Sequence, residues 1–241
     1  MCGRYAASRD LREMQLAFAV DELEPHALAP NYNVAPTQET YIVDLHGVHR
    51  RLRVVRWGLV PSWSRDASGA ARLINARSET VAEKPSFKAA FARRRCLVPM
   101  DGWYEWQGAG KQPWYLSGVD GMVAVAGIHE RWRPANADPS DPTAVLHTMA
   151  ILTTAAGPDT EHVHDRMPVL ITPDDRDAWL DPTTDVAELQ HLLRPAPAGT
   201  VRTWRVSRAV SHVRSNDPSL IDPIDPPDPE PAPSVEQPTL C

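Results

Sequence analysis

The residues Met1-Cys2-Gly3-Arg4 place a cysteine second in a 241-residue chain. Aminopeptidases remove an initiator methionine when the next residue is small, so the expected mature chain begins at Cys2, with a free α-amino group beside its thiol. The amine ordinarily titrates at roughly 7.7–8.0 and the thiol at about 8.5, so useful fractions of both nucleophiles are expected at neutral pH. With an aldehyde, the amine forms an imine and the thiol then closes a five-membered thiazolidine. With an acyl group, the thiol attacks while the amine serves as base. The plain alternative is that Cys2 is simply the second residue of a cytosolic protein.

Four further segments carry reactive or binding side chains: Trp57-Gly58-Leu59-Val60-Pro61-Ser62-Trp63, Ile74 to Thr80, Arg94 to Trp106, and His162 to Pro168. Within Trp103-Tyr104-Glu105-Trp106, strand alternation puts Trp103 on the same face as Glu105. A carboxylate walled by aromatics loses solvation, and its pKa rises toward the value a general acid or base needs near neutrality. A buried Glu105 paired with an arginine is the structural alternative. His164 precedes Arg166 by two residues, setting a titratable ring beside a permanent cation, an arrangement suited to an anionic or phosphate-bearing substrate. The ordinary roles are a structural histidine, tryptophans in a core, Asn75 capping a turn and Arg77 paired with Glu79.

These residues need a scaffold. The chain is 42% hydrophobic and 23% charged, as in soluble globular proteins, and long enough for one large domain or two small ones. No apolar run approaches a membrane span and no signal-peptide pattern is present. Three cysteines without CxxC spacing argue against a disulfide framework or structural zinc, and a cytoplasmic location is expected. Five of the 31 acidic residues and seven prolines fall in the last 20 positions, which hold no Lys or Arg; this segment is expected to be a disordered tail. The body is then near neutral, with 25 basic side chains. Its clusters Arg50-Arg51-Leu52-Arg53 and Arg93-Arg94-Arg95 are expected to be solvated faces.

Ser8 with Leu11, Met14 and Phe18 predicts a capped amphipathic helix, and Ser86 a short one through Phe87, Ala90 and Phe91. Thr172-Pro173 opens a helix toward Trp179-Leu180, and another is expected from Val186 to Leu193. Strands are expected through Tyr41–Val43, Leu52–Val55, Cys96–Pro99, Gly121–Ile128 and Val201–Val206, with a loop at Pro134–Pro142. Short strands broken by isolated helices predict an α+β domain rather than a regular βαβ array.

The segments MCGRY, WGLVPSW, NARSET, RRCLVPMDGWYEW and HDRMPVL resemble those of the SOS response-associated peptidase family, the SRAP domain. The resemblance covers residues 1–223 as a single domain and leaves 224–241 as an acidic, proline-rich tail. It implies a mainly antiparallel, barrel-like β core with flanking short helices, in a monomer without cofactor or metal. It also implies a sensor of abasic sites in single-stranded DNA, whose N-terminal Cys2 captures the ring-opened sugar aldehyde as a stable thiazolidine crosslink and shields the lesion. The family name records self-removal of Met1. Carried onto this sequence, Cys2 supplies both nucleophiles, Asn75 holds the amine and linkage, Glu105 shuttles protons, and His164 acts as acid on the sugar oxygen and assists reversal. Arg4, Arg77 and Arg166 are similar to residues that hold flanking phosphates. Trp63 and Trp106 are expected to stack on neighbouring bases, at about 1–3 kcal/mol per base. Ser211 departs from the family pattern, where Asn is expected, so a polar contact there is in doubt.

Three rivals stand beside this reading. An N-terminal-nucleophile amidohydrolase also begins Met-Cys-Gly, but leaves Trp57–Pro61, Glu105 and the His164–Pro168 run unexplained. A noncovalent single-strand binder makes Cys2 incidental. A papain-like protease has no use for a nucleophile at the extreme N-terminus.

Overall fold

The computed structural model describes residues 2–24 and 26–224. Met1 and the expected tail beyond Ile224 lie outside the described residues. The strands are β1 (Tyr5–Ala7), β2 (Glu22–Leu23), β3 (Asn31–Val34), β4 (Glu39–His46), β5 (His49–Trp57), β6 (Asn75–Arg77), β7 (Arg95–Met100), β8 (Gly102–Gln107), β9 (Gln112–Gly118), β10 (Val123–Trp132), β11 (Leu146–Ala155), β12 (Arg166–Pro168) and β13 (Val201–Arg205). The helices α1 (Leu11–Phe18), α2 (Lys88–Arg93), α3 (Arg176–Leu180) and α4 (Val186–Leu192) are short.

Five strands form an antiparallel sheet in the order β13-β9-β8-β1-β3. The rest form a second sheet, β12-β11-β10-β7-β4-β5-β2, in which a parallel pairing of β11 with β5 (Thr148 opposite Arg56, Met149 opposite Trp57) nearly closes a five-strand ring. The fold is α+β, as the element pattern predicts, and mostly antiparallel and barrel-like, as the resemblance implies.

Alternation along the ring strands sorts their side chains into two cores. Val43, Leu52, Leu97, Ala126, Ile128, Ala150 and Leu152 pack outward against Met14, Phe18, Phe91, Trp179 and Leu189, so the helices cover the outer face. Ile42, Val55, Trp57, Val98, Val125, Met149 and Ile151 pack inward with Cys2, Tyr5, Trp103 and Leu116, so the inner face meets the five-stranded sheet. That sheet's other face, with Ala6, Tyr104 and Tyr115, is covered by Val206, Val210 and Leu220 of the C-terminal segment.

Local details correct three expectations. The cap of α1 is Asp10, in a capping box with Glu13, while Ser8 turns both its amide and its hydroxyl onto Asp101 (2.7 and 2.6 Å). Helix α2 starts at Lys88 behind Phe87 without a side-chain cap, so Ser86 does not open it. The arginine clusters are not simply solvated faces. Arg53 is 4% exposed, and Arg95, also buried, staples two helices by donating to Phe91 O (2.8 Å) and Trp179 O (2.6 Å). Arg53 Nε lies 2.8 Å from Asp44, which also accepts a fork from Arg51 at 3.1 and 3.0 Å. Burial pushes the Asp44 carboxyl up, but the Arg51 hydrogen bonds and the Arg53 charge outweigh it and hold the group below the usual carboxylate range.

Candidate functional site

Strand β1 lies between β8 and β3, and the three residues before it carry Cys2 into the inner core, where it is fully buried. Burial, reinforced by the nearby Glu105 charge, pushes the Cys2 thiol well above its usual value. The sequence expectation of a useful thiolate fraction at neutral pH is therefore corrected: in the closed site the thiol keeps its proton, because burial and the Glu105 charge outweigh the pull of the amino-terminal charge.

Asn75 reaches Cys2 from the ring. Strand β6 runs parallel to β11, with Asn75 opposite Ile151. The Trp57 indole donates to Ile74 O (3.0 Å), fixing the backbone immediately before it. From there Asn75 Nδ2 donates to Cys2 O at 2.8 Å, while Asn75 Oδ1 is buried without a hydrogen-bond partner among the described residues. Trp57 is thus core, and it is core that places a polar group. Gly58 follows at φ 117°, and a Cβ there would lie 2.7 Å from Ala70 O, so the turn that returns the chain toward β6 admits glycine alone at low cost.

Glu105 enters from the five-stranded sheet. Trp103 shares its face, as alternation predicts, and both are buried. The register sets Glu105 opposite Trp114 on β9, and Trp114 opposite Arg205 on β13, so the three form one row across the sheet. Burial pushes the Glu105 carboxyl up to about 7, against the counter-pull of the chain's amino-terminal charge.

His164 completes the group from the loop before β12, its Nε2 lying 4.0 Å from Glu105 Oε2. Burial, then the amino-terminal charge, lowers the ring's pKa, favouring the neutral form. In that form Nδ1 accepts from the Arg166 amide (3.0 Å) and Nε2 carries the proton toward Glu105. Protonation would add an ion pair between Nδ1 and Asp165 at 2.8 Å, competing with that amide.

The expected phosphate-binding arginines are in different states. Arg166 forks onto Glu79 at 2.5 and 3.0 Å and donates to Thr153 O at 2.7 Å. Glu79 therefore pairs with Arg166, not with Arg77 as its place in the sequence suggests. Arg77 is exposed, with no side-chain hydrogen bond or ion pair among the described residues, and β6 alternation puts it on the same side as Asn75. Arg4 donates to Asn33 Oδ1 (2.8 Å) and Val210 O (2.9 Å), its guanidinium 6.0 Å from the Trp106 ring centre. Trp106 Nε1 in turn donates to Ser211 Oγ at 3.1 Å, so the serine that departs from the family pattern makes a polar contact. Trp63 is 66% exposed in a turn held by a Trp132 indole bond to Ser64 O, and no contact among the described residues links it to the Cys2 group.

Cys2, Asn75, Glu105 and His164 thus meet from four separate stretches of chain, with Arg166 and Arg77 beside them. Sequence reasoning missed Trp114, whose position depends on the hairpin register. The cue was the Gly108-Ala109-Gly110-Lys111 turn, with positive φ at Gly108 and Lys111, which sets the partners across β8 and β9.

Comparison with known proteins gives a consistent picture. Residues 1–213 match the family described as SOS response associated peptidase (SRAP). The chain is 36% identical to "Abasic site processing protein YoqW" of Bacillus subtilis (strain 168), over 92% of this chain and 99% of that protein. It is 31% identical to "Abasic site processing protein YedK" of Escherichia coli (strain K12), over 93% and 100% of the two chains. A crystal structure of a protein from Bacteroides thetaiotaomicron superposes with a TM-score of 0.82 at 26% identity, over 92% of this chain and all of that one.

Proposed function

Because the chain belongs to the SOS response-associated peptidase family, we propose that it processes abasic sites in single-stranded DNA by covalent capture through Cys2. The observation that carries this reading is a fully buried Cys2, held through its carbonyl by Asn75 and faced by a carboxyl that titrates near 7. Relatives named for abasic site processing along nearly their whole length support it.

Loss of Met1 frees the Cys2 α-amine. The ring-opened sugar presents an aldehyde; the amine adds to its carbon, and expulsion of water leaves an imine. The Cys2 sulfur then bonds to the imine carbon and its proton passes to the nitrogen, closing the thiazolidine. The net change is loss of one water. Because burial keeps the thiol protonated, the amine attacks first and the thiol needs a proton acceptor for the second step. Glu105, poised between its two forms near neutrality, accepts that proton and returns it. His164, neutral with Nε2–H toward Glu105, donates to the sugar ring oxygen as the ring opens and assists reversal. Asn75 holds the Cys2 carbonyl, with its amide oxygen, unpartnered among the described residues, available to the new amine. Arg77 and Arg4 hold flanking phosphates, Arg166 joins them by sharing its guanidinium with Glu79, and Trp63 and Trp106 meet neighbouring bases.

Intact mass spectrometry after mixing with an abasic oligonucleotide tests this. The expected species has lost methionine and gained the oligonucleotide minus one water, and it survives boiling in denaturant. An adduct that still carries Met1 overturns the mechanism.

A further inference from the structure

Gln107 lies two residues beyond Glu105 on β8 and belongs to none of the catalytic roles above. Its amide is used at both ends. Oε1 accepts from the Trp114 indole (3.1 Å), and Nε2 donates to His162 O at 2.6 Å. Trp114 is the cross-strand neighbour of Glu105, and in such pairs the Cβ atoms lie roughly 4.5–5.5 Å apart. His162 precedes His164 by two residues in the same loop. Its ring meets Trp114 edge-on, with centres 5.3 Å apart at 82°, and its Nε2 lies 3.2 Å from Thr203 Oγ1 on β13.

The loop bearing His164 is pinned to the sheet bearing Glu105 at Asp159, which accepts from the Gly199, Thr200 and Val201 amides, and, closer to the pair, at His162 by three contacts converging from β8, β9 and β13. Of these, the Gln107 bond is the one made to the loop backbone, and it is the shortest. We propose that Gln107 is a positioning residue for the Glu105–His164 pair: by bridging the Trp114 indole to the His162 carbonyl it holds the aromatic wall beside the carboxyl and sets the imidazole at its distance from it.

The inference rests on the proposed function for its chemical meaning, though the clamp itself is a geometric statement. The groups facing the pair are the Cys2 thiol and the amino-terminal charge from the N-terminal segment, Asn75 from β6, Asp165 and Arg166 from the His164 loop, and Arg205 at the end of the Trp114 row. Leucine at position 107 adds no charge and removes none of these groups.

The test compares the parent, Gln107→Leu and Trp114→Phe in the full chain, with two readouts. The first is the titration of the His164 ring followed by NMR. Leucine removes both amide bonds, so the loop loosens, water reaches the ring, and its midpoint rises toward the ordinary histidine value. Phenylalanine breaks the bridge at its indole end but keeps an aromatic ring and the Gln107 bond to His162 O, so the midpoint rises by less than with leucine. The second readout is the pH profile of adduct formation with an abasic oligonucleotide. Gln107→Leu is expected to slow it roughly tenfold to a hundredfold and to shift the profile, while Trp114→Phe shifts it the same way by less. If Gln107→Leu leaves the His164 midpoint at the parent value, or slows the rate with an unshifted profile, or if Trp114→Phe moves the midpoint further than Gln107→Leu does, the positioning role is wrong. Failure of the parent itself to form an adduct refutes the proposed function, and the NMR titration still decides the clamp.

Discussion

Replacing Glu105 by glutamine tests the electrostatics of the site directly, because the consequence appears in stability as well as in rate. The carboxyl moves from its ordinary 4.5 to about 7 in the folded chain, mainly through burial. At about 1.36 kcal/mol per pH unit, that displacement makes ionised Glu105 a cost of about 3 kcal/mol to the native state. Below pH 4.5 the group is protonated whether the chain is folded or not, and there is no cost. As pH rises the unfolded chain ionises first, stability falls, and the loss is complete once pH passes the folded value near 7. Glu105→Gln keeps the shape without the charge, so parent and variant should be similar at pH 4 and diverge to about 3 kcal/mol at pH 8, with the variant more stable. For a domain of this size that corresponds to roughly 6–12 °C in thermal midpoint. Scanning calorimetry of both proteins at pH 4, 6 and 8 isolates the effect, since titrating groups that do not interact with Glu105 cancel in the difference. The same variant should slow adduct formation at pH 7 more than it weakens binding to intact single strands. A parent–variant difference that is flat with pH refutes the claim that burial keeps this carboxyl poised near neutrality.

Cys2→Ala should give no boil-stable adduct with abasic DNA, and Cys2→Ser should yield one only when borohydride traps the imine; denaturing gels read both. Arg53→Met strips the buried Asp44 of one cation and should destabilise the fold by about 3–5 kcal/mol, measured by urea unfolding, whereas a loss under 1 kcal/mol would mean Arg51 suffices. Glu79→Gln should change stability by less than about 1 kcal/mol, because the carboxylate is half exposed. It should also tighten single-strand binding in a fluorescence titration by releasing the Arg166 fork; weaker binding would show that the pair serves orientation instead. Gly58→Ala, forced into positive φ against Ala70 O, should lower stability by at least about 1 kcal/mol without altering the adduct's chemistry.

Much of the site was legible because its residues sit in compact segments of unusual composition. The aromatic run around Glu105 announced its burial, and Cys2 and His164 stood out by residue type. What sequence could not give was pairing between distant segments. Leu146–Ala155 is apolar along most of its length and buried on both faces, so it has no alternation to read, yet it joins β5, β6, β10 and β12. Glu79 has Arg77 two residues away and Arg166 across the sheet, and β11 lies between β6 and β12, bringing the second within reach. Arg53 and Arg95 were misread because charge in a sequence window says nothing of a partner such as Asp44, or of helix-end carbonyls, waiting inside.

A polypeptide end is ordinarily the place where engineers attach handles, since it frays and tolerates additions. Here the leading residues continue straight into a strand flanked on both edges. An affinity tag fused ahead of Cys2 would have to thread out of a closed interior while capping the amine, so purification handles belong at the opposite end.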